Sequence, residues 1–543
     1  MKTCDAIIEI LKREGIDTLF GYPRNALLEA AAAANVRTII PRQERIGLHM
    51  ADAYSRLTRG EKPGVFCCQH GPGAEVAYAG VAQAYGESVP LLVLPGGYPT
   101  AIAHVGRNYN SVRNMAQITK SAEPLNVPAQ TSAVMRRAFT ALRNGRGGPA
   151  LVELPFDVLE QEGAEADYAP VLRTRYGPDG ESVAPAAALL CGAKRPVIYA
   201  GQGIHWANAY GELQELAELL AIPVCTSLPG KSSFDETHPL SLGSGGAAMP
   251  QAVRHFLDEA DVILGVGCSF TSTSFGIRMP AGKRVIHATL DPAELNRAVE
   301  TEVALIGDAR LALRALIEAC RTIAGAMPRD SSPVAAEIAG VADAWLARWM
   351  PKLTSSETPM TPYRVLWDLQ HSVDVANTII THDAGSPRDQ LSPFWKTRAP
   401  HSFLGWGKTT QLGYGLGLAM GAKLACPDRL CINVWGDAAI GFTGMDFETA
   451  VRERLPILSI LLNNSSMAME LKIMPTATEK FRATDIGGDY AAFARALGGH
   501  GERISTIDEI IPAIRRGIAA TEAGKPALLE FMTSQEQDFS RYP

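Results

Sequence analysis

Residues 436–464 read GDAAIGFTGMDFETAVRERLPILSILLNN, and the way that stretch must be laid down decides the fold. Upstream of it, the apolar run 431–435 (CINVW) fits a strand buried on both faces, and Gly436-Asp437 turn the chain away from the sheet. Residues 444–454 read as a helix, Pro456 restarts the chain, and 457–462 (ILSILL) form a second buried strand. Strand, helix and strand in this order are the unit of an α/β doubly wound parallel sheet. Both strands then end on the side where ligands bind, so the Asp437 carboxylate and the Asn464 amide oxygen can converge there. Hard oxygen donors suit Mg²⁺, which keeps waters and takes phosphate oxygens beside one or two protein groups. The stretch alone fits a magnesium-diphosphate clamp and fits equally an ordinary βαβ unit with a solvated loop.

Toward the N-terminus, residues 19–23 (LFGYP) are followed by Arg42-Gln43-Glu44-Arg45 and then by 51–56 (ADAYSR). Residues 91–97 (LLVLPGG) and 196–203 (PVIYAGQG) come next, and Leu412-Gly413-Tyr414-Gly415-Leu416 leads into 419–422 (AMGA). Taken with the GD and NN pairs, these segments resemble, in order, the FGYPG…RHE…ADGYAR run and the GDG…NN motif of the acetolactate synthase and pyruvate decarboxylase superfamily. The resemblance covers nearly the whole chain.

It implies thiamine diphosphate and Mg²⁺ as cofactors, and an enzyme that decarboxylates a 2-oxo acid and then releases an aldehyde or transfers the acyl unit. Glu44 falls on the family's catalytic glutamate, which hydrogen-bonds the aminopyrimidine; taken alone, it fits a surface carboxylate at a helix start. Asp437 and Asn464 become side-chain ligands of the metal, with the Ser466 carbonyl as third ligand. Gly436 and the amides of Ala438 and Ala439 would cradle phosphate oxygens. The family's second glycine is Ala438 here, a change that is harmless only if that residue keeps negative φ. Gly385 and Ser386 mark a second diphosphate-side loop, and Leu412 matches the apolar residue that wedges beneath the bent cofactor or is simply a core leucine. Because the glutamate and the clamp come from different subunits in this family, the resemblance implies a homodimer or homotetramer with active sites at the interface.

The substrate side departs from the pattern. Gln69-His70-Gly71-Pro72-Gly73 stands where acetolactate synthases read TSGPG, so His70 is either a proton donor or a satisfied buried histidine. Arg24 and Asn25 replace two glycines and put a cation and an amide near the pocket mouth, and 106–111 (GRNYNS) lacks the family's glutamine, leaving Arg107 or Asn110 in its place. Glu470 matches a decarboxylase acid, or is a solvated helix residue. Residues 268–273 (CSFTST) replace the run that flavin-binding relatives carry, which sets the expectation that FAD is not bound. The tail 533–543 (TSQEQDFSRYP) is expected to close over the site. An enzyme acting on an acyl-CoA, such as an oxalyl-CoA decarboxylase or 2-hydroxyacyl-CoA lyase, ranks lower because no basic cluster for CoA phosphates is evident. A non-catalytic relative ranks lower still, given Glu44, Asp437 and Asn464 together.

Composition agrees with a large soluble α/β protein. A net charge of −6 offers no basic footprint, so nucleic acid is not expected as a partner, and the resemblance implies a small-molecule 2-oxo acid or aldehyde instead. The nine cysteines are scattered, odd in number and without a C-x-x-C pair, which predicts free thiols in a reducing compartment. No run reaches the roughly 18 apolar residues of a membrane span, and no signal-peptide core opens the chain, so a cytoplasmic location is expected. Residues 1–20 read as an amphipathic helix. Polar and Pro/Gly-bearing stretches at 161–182 and 328–362 read as connectors and divide the chain into units 1–160, 183–327 and 360–543, expected to be the pyrimidine-binding, central and diphosphate-binding domains.

Overall fold

Three parallel sheets of six strands each form the frame. The computed structural model describes residues 1–543 apart from positions 24, 166, 326 and 543. The first sheet contains β1 (Thr18–Gly21), β2 (Arg37–Ile39), β3 (Gly64–Cys68), β4 (Leu91–Gly97), β5 (Ser121–Pro124) and β6 (Ala150–Pro155). The second contains β7 (Pro196–Ala200), β8 (Val224–Ser227), β9 (Ser241–Gly245), β10 (Val262–Val266), β11 (Arg284–Thr289) and β12 (Val303–Ile306). The third contains β13 (Thr378–His382), β14 (Phe403–Leu404), β15 (Leu430–Gly436), β16 (Leu458–Asn463), β17 (His500–Ile504) and β18 (Ala527–Met532).

The first and third sheets share one topology, β2-β1-β3-β4-β6-β5 and β14-β13-β15-β16-β18-β17. Their strand order reverses between β1 and β3 and between β13 and β15, and those reversals open ligand crevices at the carboxyl ends of the strands. The middle sheet runs β12-β11-β10-β7-β8-β9, the order of dinucleotide-binding folds, with its reversal between β7 and β10.

The outer sheets are joined by a helix pair. Glu44–Leu57 packs along Tyr414–Ala425, whose residues are buried nearly all round, and the two share one continuous apolar core. Glycines permit the close approach, since a Cβ at Gly421 would collide with the Met50 carbonyl. A polar lock crosses the pair. Arg56 Nε donates to Asp52 Oδ1 at 2.6 Å, Arg56 Nη1 donates to the Gly405 carbonyl at 3.0 Å, and the Tyr414 hydroxyl donates to Asp52 Oδ2. This joint holds the start of the first helix, Glu44, against the C-terminal unit.

Two sequence expectations are corrected. The helix read over residues 1–20 stops at Arg13, and residues 18–21 are strand β1. Gly15 adopts φ +84°, its N–H donates to the Lys12 carbonyl, and the Ile16 N–H donates to the Leu11 carbonyl at 3.0 Å, which terminates the helix in a Schellman motif. The connector read over 328–362 contains the helix Ser332–Leu353. Pro333 occupies its first turn, where the missing N–H costs nothing, and Pro351 lies in its last turn.

Candidate active site

At the crevice of the third sheet, β15 ends in Gly436 and a helix starts at once, Asp437–Thr443, ahead of the helix expected over 444–454, which is present as Phe447–Arg452. Asp437 is 3% exposed and is held by backbone donors on both oxygens. Oδ1 accepts from the Ala438 N–H at 2.9 Å, and Oδ2 accepts from Asn464 and Ser466 at 3.1 and 3.2 Å. Burial raises its pKa to about 6 against the pull of those N–H groups. The Asn464 side-chain oxygen accepts from the Ser466 N–H at 3.0 Å, so the carboxylate and the amide oxygen do converge. The paired asparagines divide their work. Asn463 is buried, and its amide donates to Glu530 at 2.7 Å while its oxygen accepts from Ser465, which braces the loop from inside the sheet. Ala438 lies in the first helical turn and is absent from the positive-φ residues, so the lost glycine does not distort the turn.

Beside this clamp, β13 leads into Asp383, which is fully buried and gives no sign in the motifs read from sequence. Its Oδ1 accepts from Ala384 and Gly413 at 2.8 and 2.9 Å, and Oδ2 accepts from Gly415 at 2.9 Å. Burial raises this carboxyl to about 6 as well. Asp383 thereby fixes the 412–415 loop, with Gly413 at φ +84° and its carbonyl accepting from Thr443 Oγ1 at 2.8 Å. Leu412 on that loop is half-buried against the shared core. Gly385, at φ +81°, turns the chain into a short helix that begins at Ser386.

At the crevice of the first sheet, Glu44 opens its helix but is 6% exposed, so it is not a surface carboxylate. It lies against Gly73, where a Cβ would come within 3.1 Å of Glu44 Oε1, and burial raises its pKa. Among the described residues no hydrogen bond or ion pair joins Glu44 to Asp437, Asn464 or Ser466 within one chain. His70 packs edge-on to the rings of Tyr98 and Phe156 at 4.5 and 4.7 Å. Asn25 does not face a pocket mouth. It caps the helix Ala26–Ala33 and donates to the carbonyls of Cys68 and Leu94, which consumes its amide. Asn110 likewise caps the helix Ser111–Met115, Arg107 is exposed, and Arg24 lies outside the described residues.

Three family models match the chain in order: "Thiamine pyrophosphate enzyme, N-terminal TPP binding domain" over residues 1–122, "central domain" over 183–316 and "C-terminal TPP binding domain" over 383–531. The chain belongs to the thiamine pyrophosphate enzymes. It is 30% identical to a "Probable acetolactate synthase large subunit" of Methanococcus aeolicus, over 100% of this chain and 94% of that protein. A protein of the same description from Methanocaldococcus jannaschii matches at 30% with equal coverage. The "Acetolactate synthase catalytic subunit, mitochondrial" of Saccharomyces cerevisiae is 28% identical, over 96% of this chain and 79% of its own. This thiamine pyrophosphate enzyme therefore falls within the acetolactate synthase and pyruvate decarboxylase superfamily.

In this enzyme the segment after the clamp forms a short 3-10 turn, Ala468–Glu470, with the Glu470 side chain half-buried. The tail reaches the same loop. Gln535 donates to the Asn464 carbonyl at 3.3 Å and Gln537 to the Ala468 carbonyl at 2.7 Å. The nine cysteines are free thiols. No helix among the described residues is long and apolar enough to cross a membrane.

The middle sheet holds a feature the sequence hid. At its reversal, Gly203, Gly267 and Cys268 line a cavity of about 170 Å³. Arg59, Arg143, Arg146, Arg173 and Lys408, scattered along the chain, line it from outside the sheet beside Asp291, Glu294 and Asp308, with Arg143 paired to Glu14 and Arg173 to Glu61. Arg146 is paired with Glu294 there, and burial lowers the Lys408 ammonium to about 8.

Proposed function

We propose that this enzyme uses thiamine diphosphate and Mg²⁺ to decarboxylate a 2-oxo acid and then to release an aldehyde or transfer the acyl unit to a second carbonyl. The carrying observation is the Asp437 clamp. A carboxylate offers about four acceptor positions, and three are taken by backbone N–H groups, so one remains for a cation beside the Asn464 oxygen. The Ser466 hydroxyl oxygen is buried without a hydrogen-bond partner among the described residues, and no described donor reaches the Ser466 carbonyl. That donor set, all oxygen and of one negative charge, fits Mg²⁺ carrying a diphosphate. Gly436 and the first-turn amides of Ala438 and Ala439, with Gly385 and Ser386 across the crevice, would hold the phosphate oxygens, and Leu412 would support the cofactor from below.

Thiamine diphosphate, when bound, supplies the acidic carbon that attacks a carbonyl and the electron sink that lets carbon dioxide leave. Glu44 holds a proton for its pyrimidine end, a task suited to a carboxyl whose pKa burial has raised. His70 orients or protonates the substrate from the first-sheet crevice. Each unit, 1–160, 183–327 and 360–543, carries one sheet of this arrangement. A homodimer or homotetramer completes the site by bringing one chain's Glu44 to its partner's clamp. Support for association comes from apolar side chains left in solvent on the N-terminal unit, Val76 at 43%, Tyr78 at 40% and Tyr85 at 45%, and near the clamp helix, Phe442 at 49% and Met445 at 46%. The chemistry and free thiols suit a cytoplasmic enzyme.

Glu470 is assigned the proton delivery that ends the cycle. Glu470→Gln should slow aldehyde release more than decarboxylation, so the ratio of acyloin to aldehyde rises when a 2-oxo acid and an acceptor aldehyde are supplied together. Product analysis by mass reads this directly; an unmoved ratio with unmoved turnover would return Glu470 to a solvated role. The second reading, an acyl-CoA substrate, draws support from the basic cavity of the middle sheet, and carbon–carbon cleavage of an acyl-CoA ester in preference to every 2-oxo acid would favour it.

A further inference from the structure

The short helix Ser386–Leu391 carries a buried cation that none of the roles above uses. Arg388 is 2% exposed, its Nε donates to Asp389 Oδ1 at 2.7 Å, and its guanidinium carbon lies 4.5 Å from the centroid of the Phe275 ring. Its Nη1 has no hydrogen-bond partner among the described residues. Asp389, 1% exposed, cannot balance it alone, because Arg541 from the tail donates to the other Asp389 oxygen at 2.5 Å. Two guanidinium groups thus share one carboxylate. His382 adds no negative charge, and it is kept neutral by burial and by the field of Arg388. Asp383 is committed to its three backbone donors.

A buried guanidinium with an open donor is costly unless an anion completes it, and its planar fork matches a carboxylate. The place is right for a reacting molecule. Pro387, next to Arg388, abuts the clamp turn, where a Cβ on Gly436 would lie 3.7 Å from its ring. Strands β13 and β15 pair directly, about 5 Å apart, and the helix follows shortly after the end of β13. The tail bonds the clamp loop through Gln535 and Gln537 and reaches Asp389 through Arg541, which links the two.

We propose that Arg388 receives the carboxylate of the 2-oxo acid substrate, with Asp389 fixing its fork and Phe275 supporting its face. This inference rests on the proposed function. The test is the discrimination between a 2-oxo acid and the uncharged aldehyde of the same chain length, each followed as kcat/KM, together with thiamine diphosphate affinity. Arg388→Gln should lower the ratio of the two kcat/KM values about a hundredfold, chiefly through the KM of the 2-oxo acid, because the anion loses a buried charge-assisted partner. Arg388→Lys, which keeps the charge and the fold if the glutamine variant does not, should lower it about tenfold by losing the fork. An equal loss on both substrates, or a loss of cofactor affinity with the ratio unmoved, overturns the inference and leaves the proposed function standing. A wild-type enzyme that consumes no 2-oxo acid overturns both.

Discussion

Glu44→Gln is expected to bind thiamine diphosphate with wild-type affinity and to lose about 10³-fold in turnover, within the usual reach of a positioned proton-transfer group. The amide has the carboxylate's shape and can keep the same place against Gly73, where Glu44 Oε1 now sits. What it cannot do is gain and lose a proton. Glu44 is suited to that exchange because burial at the start of its helix raises its pKa, and no ion pair with a described residue pins its charge. Cofactor affinity should be spared because the residues proposed to hold the diphosphate and the metal all belong to the third-sheet unit. Exchange of the cofactor's C2 hydrogen, followed by NMR, separates this defect from a folding defect: the variant should slow the exchange by a factor similar to the loss in turnover. Wild-type exchange would remove Glu44 from the chemistry.

Asp437→Ala should weaken Mg²⁺-dependent binding of thiamine diphosphate by more than about 100-fold, since even partners of metal ligands typically cost 10–100-fold. Two losses add. The cation loses a hard ligand, and the N–H groups of Ala438, Asn464 and Ser466 lose their common acceptor, so the loop that carries Asn464 and the Ser466 carbonyl is released. Titration of the variant with thiamine diphosphate at millimolar Mg²⁺ reads the effect. Affinity equal to the wild type would place the metal elsewhere.

Motifs that are local in sequence were the legible part. The run through 436–464 predicted two buried parallel strands with a helix between them, and β15 and β16 lie within a residue or so of the expected ends. Convergence of Asp437 with Asn464 was readable because strand ends in a parallel sheet must share one edge. Asp383 was not, since its three partners are backbone N–H groups, two of them 30 and 32 residues away and carrying no side-chain signature. Asn25 misled for a related reason. Its oxygen caps a helix and its N–H groups donate to two strand carbonyls, while Asn110 commits its oxygen to the cap of its own helix. Pro333 and Pro351 disguised a helix of 22 residues because proline marks a boundary as readily as a break. The basic cavity escaped because Arg59, Arg146 and Lys408 lie far apart in the sequence, the first two in the N-terminal unit and the third in the C-terminal one, and meet only in the folded chain.

The claim that this chain is a thiamine-diphosphate-dependent enzyme acting on 2-oxo acids meets its most direct test in the release of carbon dioxide from a panel of 2-oxo acids. At least one member should give carbon dioxide at a rate that requires both thiamine diphosphate and Mg²⁺, is removed by a chelator, and is restored by adding the metal back. No release from any member with both cofactors present, or release that persists without thiamine diphosphate, would contradict it.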